Sequence, residues 1–225
     1  MVRLLDTGGA VKSLSLVLGS EYRVENYEIE AGQPESYLLG NGGDIAGVDF
    51  DTTSTGAPKA AGSQVFPGFQ PANEVDRFRT NISGYAGLES ELSDQFLLDV
   101  GGRYENYSDF GSTVTGKIAG RYQVAEPFAL RGAVSNGFRA PSLHQFWFNN
   151  VSTQFLFDAV SGTLEPVQVV TTNNLSQVTR AFGVPDLDEE TSINVSAGFI
   201  ARPMPNLSIT ADYYRIDIDD RIVLT

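Results

Sequence analysis

The chain has 225 residues, 41% of them hydrophobic, with a formal net charge of −13 and no cysteine. Phosphate backbones are held by clustered Lys and Arg, and no such cluster occurs, so general nucleic-acid binding is excluded. Disulfides and thiolate metal sites are excluded as well, and the apolar content goes with a folded core rather than wholesale disorder.

The N-terminal residues Met1 to Asp6 open no apolar stretch of signal-peptide length, and Val11 to Leu18 is interrupted by Lys12, Ser13 and Ser15. No run of about 18 apolar residues is present, so no membrane-spanning helix is expected. A β-barrel escapes that test, because its spans alternate.

Two-residue alternation recurs, with little helical periodicity. The first run places Leu14, Leu16, Leu18, Tyr22 and Val24 on one face, with Glu21, Arg23 and Glu25 on the other. A long loop rich in Gly, Pro, Ser and Thr is expected over about 32–76. The second run opposes Phe78, Ile82, Ala86 and Leu88 to Arg77, Arg79, Asn81 and Glu89, and Ser93-Asp94 reads as a tight turn. In the third, Phe96, Leu98, Val100 and Tyr104 oppose Gln95, Asp99, Arg103 and Glu105, before a break at 108–112. The fourth sets Val114, Ile118, Tyr122 and Val124 against Lys117, Arg121 and Gln123, and Glu126-Pro127 turns the chain. In the fifth, Phe128, Leu130 and Val134 oppose Arg131 and Ser135. Gly137 and Pro141 then predict that ladder pairing stops near Gly137, and a second long loop is expected over about 138–188. The sixth run has Ile193, Val195, Ala197 and Phe199 opposite Ser192, Asn194 and Ser196. After a turn at 202–206, the seventh opposes Leu207, Ile209, Ala211 and Tyr213 to Ser208, Thr210 and Asp212. Its phase blurs over 215–220, which a bulge or departure from a bilayer would explain.

The connections alternate between tight turns and longer loops, as in an up-and-down barrel with short turns at one rim. The polar faces carry full charges, including Arg79, Glu89, Asp99, Arg103, Glu105, Lys117, Arg121 and Arg131. Such a face must meet water or opposite charge, never lipid. Tyr22, Tyr27, Tyr85, Tyr104, Tyr107, Tyr122, Tyr213 and Tyr214 suit an aromatic girdle, and are also ordinary strand formers. The fold class expected is all-β, with antiparallel up-and-down strands forming part of a large transmembrane barrel. The alternative from alternation alone is a soluble β-sandwich or barrel acting as a ligand-binding module.

Ser135 to Gln145, containing Gly137-Phe138-Arg139-Ala140-Pro141-Ser142, resembles the signature of TonB-dependent outer-membrane receptors. The stretches Gly102 to Gly111, Gly116 to Tyr122, Asp212 to Ile222 and Val65-Phe66-Pro67-Gly68-Phe69 resemble the same family. The resemblance runs from about Leu14 to Ile222 and implies a partial receptor barrel domain across 1–225. It implies energy-coupled uptake of a scarce small ligand (a ferric siderophore, vitamin B12 or an oligosaccharide) across the outer membrane of a Gram-negative bacterium. The implied partners are outer-membrane lipid, the rest of the barrel with its plug, and the TonB energy-coupling complex acting through an N-terminal part. Large receptors of this kind have about 22 strands, of which about seven are legible here. No plug, coupling box or closing strand is legible, so the chain is expected to be an internal barrel fragment that does not transport alone.

No catalytic constellation is legible, and no cofactor or metal is expected. Gly111 to Lys117 has phosphate-loop spacing, but Ile118 follows where the magnesium-binding hydroxyl belongs. His144 stands alone among aromatics and reads as a packed residue, and Asp217, Asp219 and Asp220 read as a solvated strand end. A ligand surface is better supported in the second long loop. There Phe146, Trp147 and Phe148 precede Asn149, Asn150 and Gln154, so a ring can stack while amides donate and accept. Phe155 and Phe157 extend the cluster. The competing reading is that these rings pack within the loop or against a barrel rim.

Overall fold

Strand pairing in the computed structural model follows the alternation almost segment by segment. The structure describes residues 2–5, 9, 11–38, 62–63 and 67–223. Most of the first expected long loop, with Val65 and Phe66, lies outside the described residues.

Eight strands form one sheet: β1 (Val2–Leu5), β2 (Ser13–Ile29), β3 (Val75–Glu91), β4 (Phe96–Tyr107), β5 (Gly111–Ala125), β6 (Phe128–Arg139), β9 (Glu190–Met204) and β10 (Leu207–Asp219). They pair in that order, with β1–β2, β3–β4, β4–β5, β5–β6, β6–β9 and β9–β10 antiparallel. Two further strands, β7 (Asn150–Asp158) and β8 (Thr163–Thr171), make a separate hairpin. Two one-turn helices, α1 (Leu143–Trp147) and α2 (Gln177–Ala181), complete the inventory with 3-10 turns at Pro34–Ser36 and Pro71–Asn73. The chain divides into two compact units. Unit 1 holds Met1–Glu25, Arg79–Pro141 and Leu187–Thr225; unit 2 holds Asn26–Phe78 and Ser142–Asp186.

Directly paired residues share a face, so the register sorts every side chain in the sheet. Leu88, Val100, Ile118, Val134 and Val195 make one continuous cross-strand row. That face is exposed: Ile118 keeps 60% of its surface, and Val114, Tyr104 and Val134 more than half of theirs. The opposite face is polar, and around Arg79 it is sheltered. Arg79 is 5% exposed and Asn81 1%, while Ser83 and Glu105 are also buried. A soluble sandwich would bury the aliphatic row and wet the charges, so the soluble alternative fails on this sheet.

Most charges on the polar face are tied to one another. Arg103 donates to Glu105 (2.6 Å) and Glu21 (3.0 Å), and Lys117 pairs with Asp99 at 2.5 Å. Arg131 forms a two-pronged pair with Asp212. Asn81 and the Tyr107 hydroxyl both donate to Glu105, at 3.2 and 3.1 Å. Around Glu105, whose side chain is 8% exposed, this lining up offsets part of the cost of withdrawing charge from water. Lys117, Arg131 and Asp212 instead keep 40–50% of their side-chain surface, and their pairs add little.

One close approach fixes the seam between β2 and β3. The Tyr85 ring lies where a Cβ on Gly19 would be, and the Arg103 guanidinium covers that ring at 5.7 Å. Gly19→Ala should therefore displace Tyr85 and destabilise the sheet by about 1–3 kcal/mol, the usual scale of overpacking. Chemical denaturation of the variant tests this, and adding Tyr85→Ala should recover much of the loss. If Gly19→Ala alone unfolds at the wild-type midpoint, the ring is not seated as described.

Three sequence expectations need correction. The ladder near Gly137 ends asymmetrically: β6 leaves β5 after Ser135 but stays paired with β9 as far as Arg139 opposite Glu190. At that exit Asn136 donates to the Val114 carbonyl (2.8 Å) and accepts from the Gly116 amide (2.6 Å), so a side chain supplies bonds that strand pairing no longer makes. Secondly, β10 has no bulge over 215–220. Its register is continuous from Ile209 to Asp219, and the irregularity falls between Leu207 and Ile209. Arg215 and Asp217 consequently share the apolar face with Val195 and Ile193, and Arg215 grips Asp217 at 2.8 Å. Thirdly, the stretch expected as a loop after Gly137 contains α1, α2 and the β7–β8 hairpin.

Candidate functional site

The signature Gly137 to Ser142 forms the junction where the chain leaves β6. Gly137 sits opposite Ser192, whose hydroxyl would lie 2.9 Å from an added Cβ. Phe138 meets the Tyr107 ring edge-on at 6.1 Å, and that ring stacks on Phe110 at 4.6 Å. Arg139 donates to Glu190 at 2.6 Å, and the same carboxylate oxygen accepts from the Ile222 amide at 2.8 Å. Ala140 is half-buried and Pro141 fully buried.

The Pro141 carbonyl accepts from Arg79 Nη1 at 2.6 Å. Arg79 also grips Glu25 through Nε (2.9 Å) and Nη2 (2.7 Å), reaches Asp109 at 3.4 Å, and lies 5.2 Å above the Tyr107 ring. One buried guanidinium thus joins β2, β3, the β4–β5 turn and the signature. Its planar fork suits that geometry, which an ammonium could not reproduce. The sequence singled out the signature but not its partners Arg79, Glu25, Asp109 and Tyr107.

Ser142 begins unit 2 as the N-cap of α1. Its hydroxyl accepts from the Gln145 amide (3.2 Å), and the Gln145 side chain accepts from the Ser142 amide (2.8 Å), a reciprocal capping box. This turns Leu143 and Phe146 inward, with Phe146 5% exposed. Phe148 stacks on His144 at 4.7 Å and meets Phe69 edge-on at 6.2 Å, while His144 meets Tyr27 at 5.7 Å. Trp147 is half-buried beneath the Arg77 guanidinium, 4.8 Å from the ring centroid. Asn149 exchanges bonds with Asn73, whose amide donates to it at 2.5 Å.

The six candidate ligand residues therefore separate. Phe146, Phe148 and Asn149 have protein partners or are buried. Trp147 is partly open, Gln154 is exposed on β7, and Asn150 has a buried side-chain oxygen with no hydrogen-bond partner. Asn173, two residues beyond β8, has another such oxygen. The hairpin exposes Phe155, Phe157, Leu164 and Val170, which the register places on one face. His144, expected to be a packed residue, is exposed, stacked on Phe148 and edge-on to Tyr27. Among the described residues no group of three or more His, Cys, Asp or Glu could hold a metal ion.

The hairpin turn has its own polar lock. The Asp158 carboxylate accepts from the amides of Val160 (3.0 Å) and Ser161 (3.1 Å), bonds that hold its pKa below the usual aspartate range. A depressed carboxyl pKa contributes stability above the unfolded pKa and loses it as pH falls through the folded one. Protection of the Val160 and Ser161 amides, relative to their intrinsic exchange rates, should therefore fall on acidification, and Asp158→Asn should flatten that dependence. Exchange at these amides that ignores pH beyond the intrinsic rate would remove the carboxylate from this role.

An exposed aliphatic face backed by a polar, ion-paired face defines the class: the wall of a membrane-spanning β-barrel. Comparison with known proteins agrees. The family model described as "TonB dependent receptor-like, beta-barrel" matches residues 8–225. An iron-regulated outer membrane virulence protein of Vibrio cholerae is 28% identical over 149 residues, covering 64% of this chain and 20% of that protein. The vitamin B12 transporter BtuB of the same species is 30% identical over 79 residues, covering 34% of this chain and 13% of its own length. Among solved structures, the siderophore receptor PirA of Acinetobacter baumannii superposes with a TM-score of 0.61 at 14% identity, covering 98% of this chain and 26% of that one. A variant of the ferric enterobactin receptor PfeA of Pseudomonas aeruginosa gives 0.59 at 18% identity, covering 96% and 25%. The chain belongs to the TonB-dependent receptor β-barrel family, located in the outer membrane of Gram-negative bacteria. It spans 20% of the length of the first of these relatives.

Proposed function

We propose that this chain supplies part of the wall and a ligand-facing unit of a receptor for energy-coupled uptake of a scarce small molecule. The observation that carries the reading is the inverted sheet, apolar outward and charged inward, within a family match that covers nearly the whole chain. Relatives named for iron regulation, siderophores and vitamin B12 support a small-molecule cargo. The TonB complex would supply energy through parts of the receptor outside this sheet.

Within unit 2, Trp147, Asn150 and Gln154 are the ligand contacts proposed, because the Trp147 ring is partly open, the buried Asn150 oxygen lacks a partner and the Gln154 amide is exposed. Phe146, Phe148 and Asn149 join the proposed site as the framework that holds Trp147 in place. Trp147→Ala in the intact receptor should weaken cargo binding by about 1–2 kcal/mol, the scale of a partly desolvated aromatic contact. Binding to outer-membrane vesicles, normalised to receptor amount, reads this out. Unchanged affinity with less receptor present would make Trp147 a packing residue only.

A further inference from the structure

Two neighbouring rows on the polar face of the main sheet group their charges by sign. The register runs Glu89, Asp99, Ala119, Ala133 and Ser196 in one row, and Glu91, Leu97, Arg121, Arg131, Gly198 and Asp212 in the next. Glu89 thus stands directly opposite Asp99, and Arg121 directly opposite Arg131. Like charges so placed repel and weaken a sheet. Two of the four are answered within the wall, Asp99 by Lys117 and Arg131 by Asp212. The other two are not: among the described residues neither Glu89 nor Arg121 has a hydrogen bond or ion pair, and both are exposed.

Between the acidic side, on β3 and β4, and the basic side, on β5 and β6, lies an open depression of about 250 Å³ floored by Ala119, Ala133 and Ser196. Glu89 and Arg121 stand on strands two spacings apart, roughly 10 Å. A cation set against Glu89 and an anion set against Arg121 would turn both repulsive edges into shared ion pairs.

We infer that this depression seats a polypeptide segment inside the barrel, one that presents a basic side chain to Glu89 and an acidic side chain to Arg121. The inference rests on the barrel-wall reading above and gives the inner face of that wall a partner of stated charge pattern. The width selects a polypeptide. A free α-amino acid carries both charges on a single carbon and cannot meet both groups, whereas two side chains of one segment can. The floor agrees, because small side chains let a second backbone come close enough for both contacts.

The test uses an intact receptor in outer-membrane vesicles with Ser196→Cys as its single cysteine, labelled by a small water-soluble thiol reagent. With the segment seated, labelling is slow. E89Q or R121Q should speed it about two- to fivefold, the scale of one exposed ion pair. Each of these should also lower the temperature of heat-induced unfolding. In an unpartnered wall each would instead leave or raise that temperature, since it removes a like-charge neighbour. The double variant E89R with R121E separates docking from folding. It sets an opposite charge beside Asp99 and beside Arg131, so the sheet itself gains, yet it reverses both contacts with the segment. Its labelling should exceed that of either single variant. Equal labelling in all four backgrounds, or single variants that unfold at or above the parent temperature, overturns the inference. Protection that washes away and returns with an added lysyl-glutamate dipeptide assigns the depression to a small zwitterion and overturns the polypeptide. The wall reading is tested separately, by substitution on the lipid face, and survives either failure.

Discussion

Replacing Arg79 with Met is expected to destabilise the folded sheet by about 3 kcal/mol, the low end for breaking a buried ion pair. The low end applies because the carboxylates of Glu25 and Asp109 keep 38% and 23% of their side-chain surface in solvent, and so are only partly stranded by the loss. The Pro141 carbonyl loses its donor as well. Arg79→Lys should recover little, since an ammonium cannot reach Glu25 twice and Pro141 together. Heat-induced unfolding of the intact receptor, followed by its shift on semi-native gels, measures the loss. If Arg79→Met and wild type unfold at one temperature, the guanidinium does not hold the signature in place.

Ile118→Arg tests the other face and should impair membrane insertion by about 2–4 kcal/mol if the position lies near the midplane. Ile118 is more than half exposed at the centre of the aliphatic cross-strand row, with Val100 and Val134 as its neighbours. Gln95→Arg, at the turn before β4, is the control and should be tolerated. Gln123 is a poorer control than its polarity implies, because its amide donates to the carbonyls of Ala125 (2.7 Å), Glu126 and Phe128 (both 3.3 Å) and secures the turn. Folding into lipid vesicles gives the two penalties directly. Equal penalties at Ile118 and Gln95 would mean that the exposed face does not meet lipid.

Seven of the eight strands of the main sheet were legible because period-two alternation is rewarded wherever one face is apolar and the other charged. The β7–β8 hairpin was not, since Phe155, Leu156 and Phe157 put apolar groups on both faces and erase the period. The short β1 and the one-turn helices offer too few residues for any period to show. A local signal for α1 did exist: Ser142 and Gln145 are a capping box at the right spacing. Register in β10 went unread for a different reason. Alternation reports phase only while residue chemistry matches the surroundings, and Arg215 with Asp217 keep the phase while changing the chemistry.

Of the candidate site, the sequence located the aromatic and amide residues but not which were free. That depends on contacts distant in the chain, such as Asn73 with Asn149 and Arg77 with Trp147. The signature was equally opaque alone. Arg79 lies 62 positions before Pro141, and nothing local links them.

The Asn136 clasp on β5 has a mechanical consequence. Two strands that part usually strand the next amide and carbonyl, so any tug at the fork tends to unzip the ladder beneath it. Here the last open groups, the Gly116 amide and the Val114 carbonyl, are closed by one short side chain. The fork thus behaves as a stitched seam end, at which pulling on the segment beyond Gly137 should stop rather than propagate downward. Asn136→Ala would unpick the stitch and shift the point of tearing from that fork into the sheet itself.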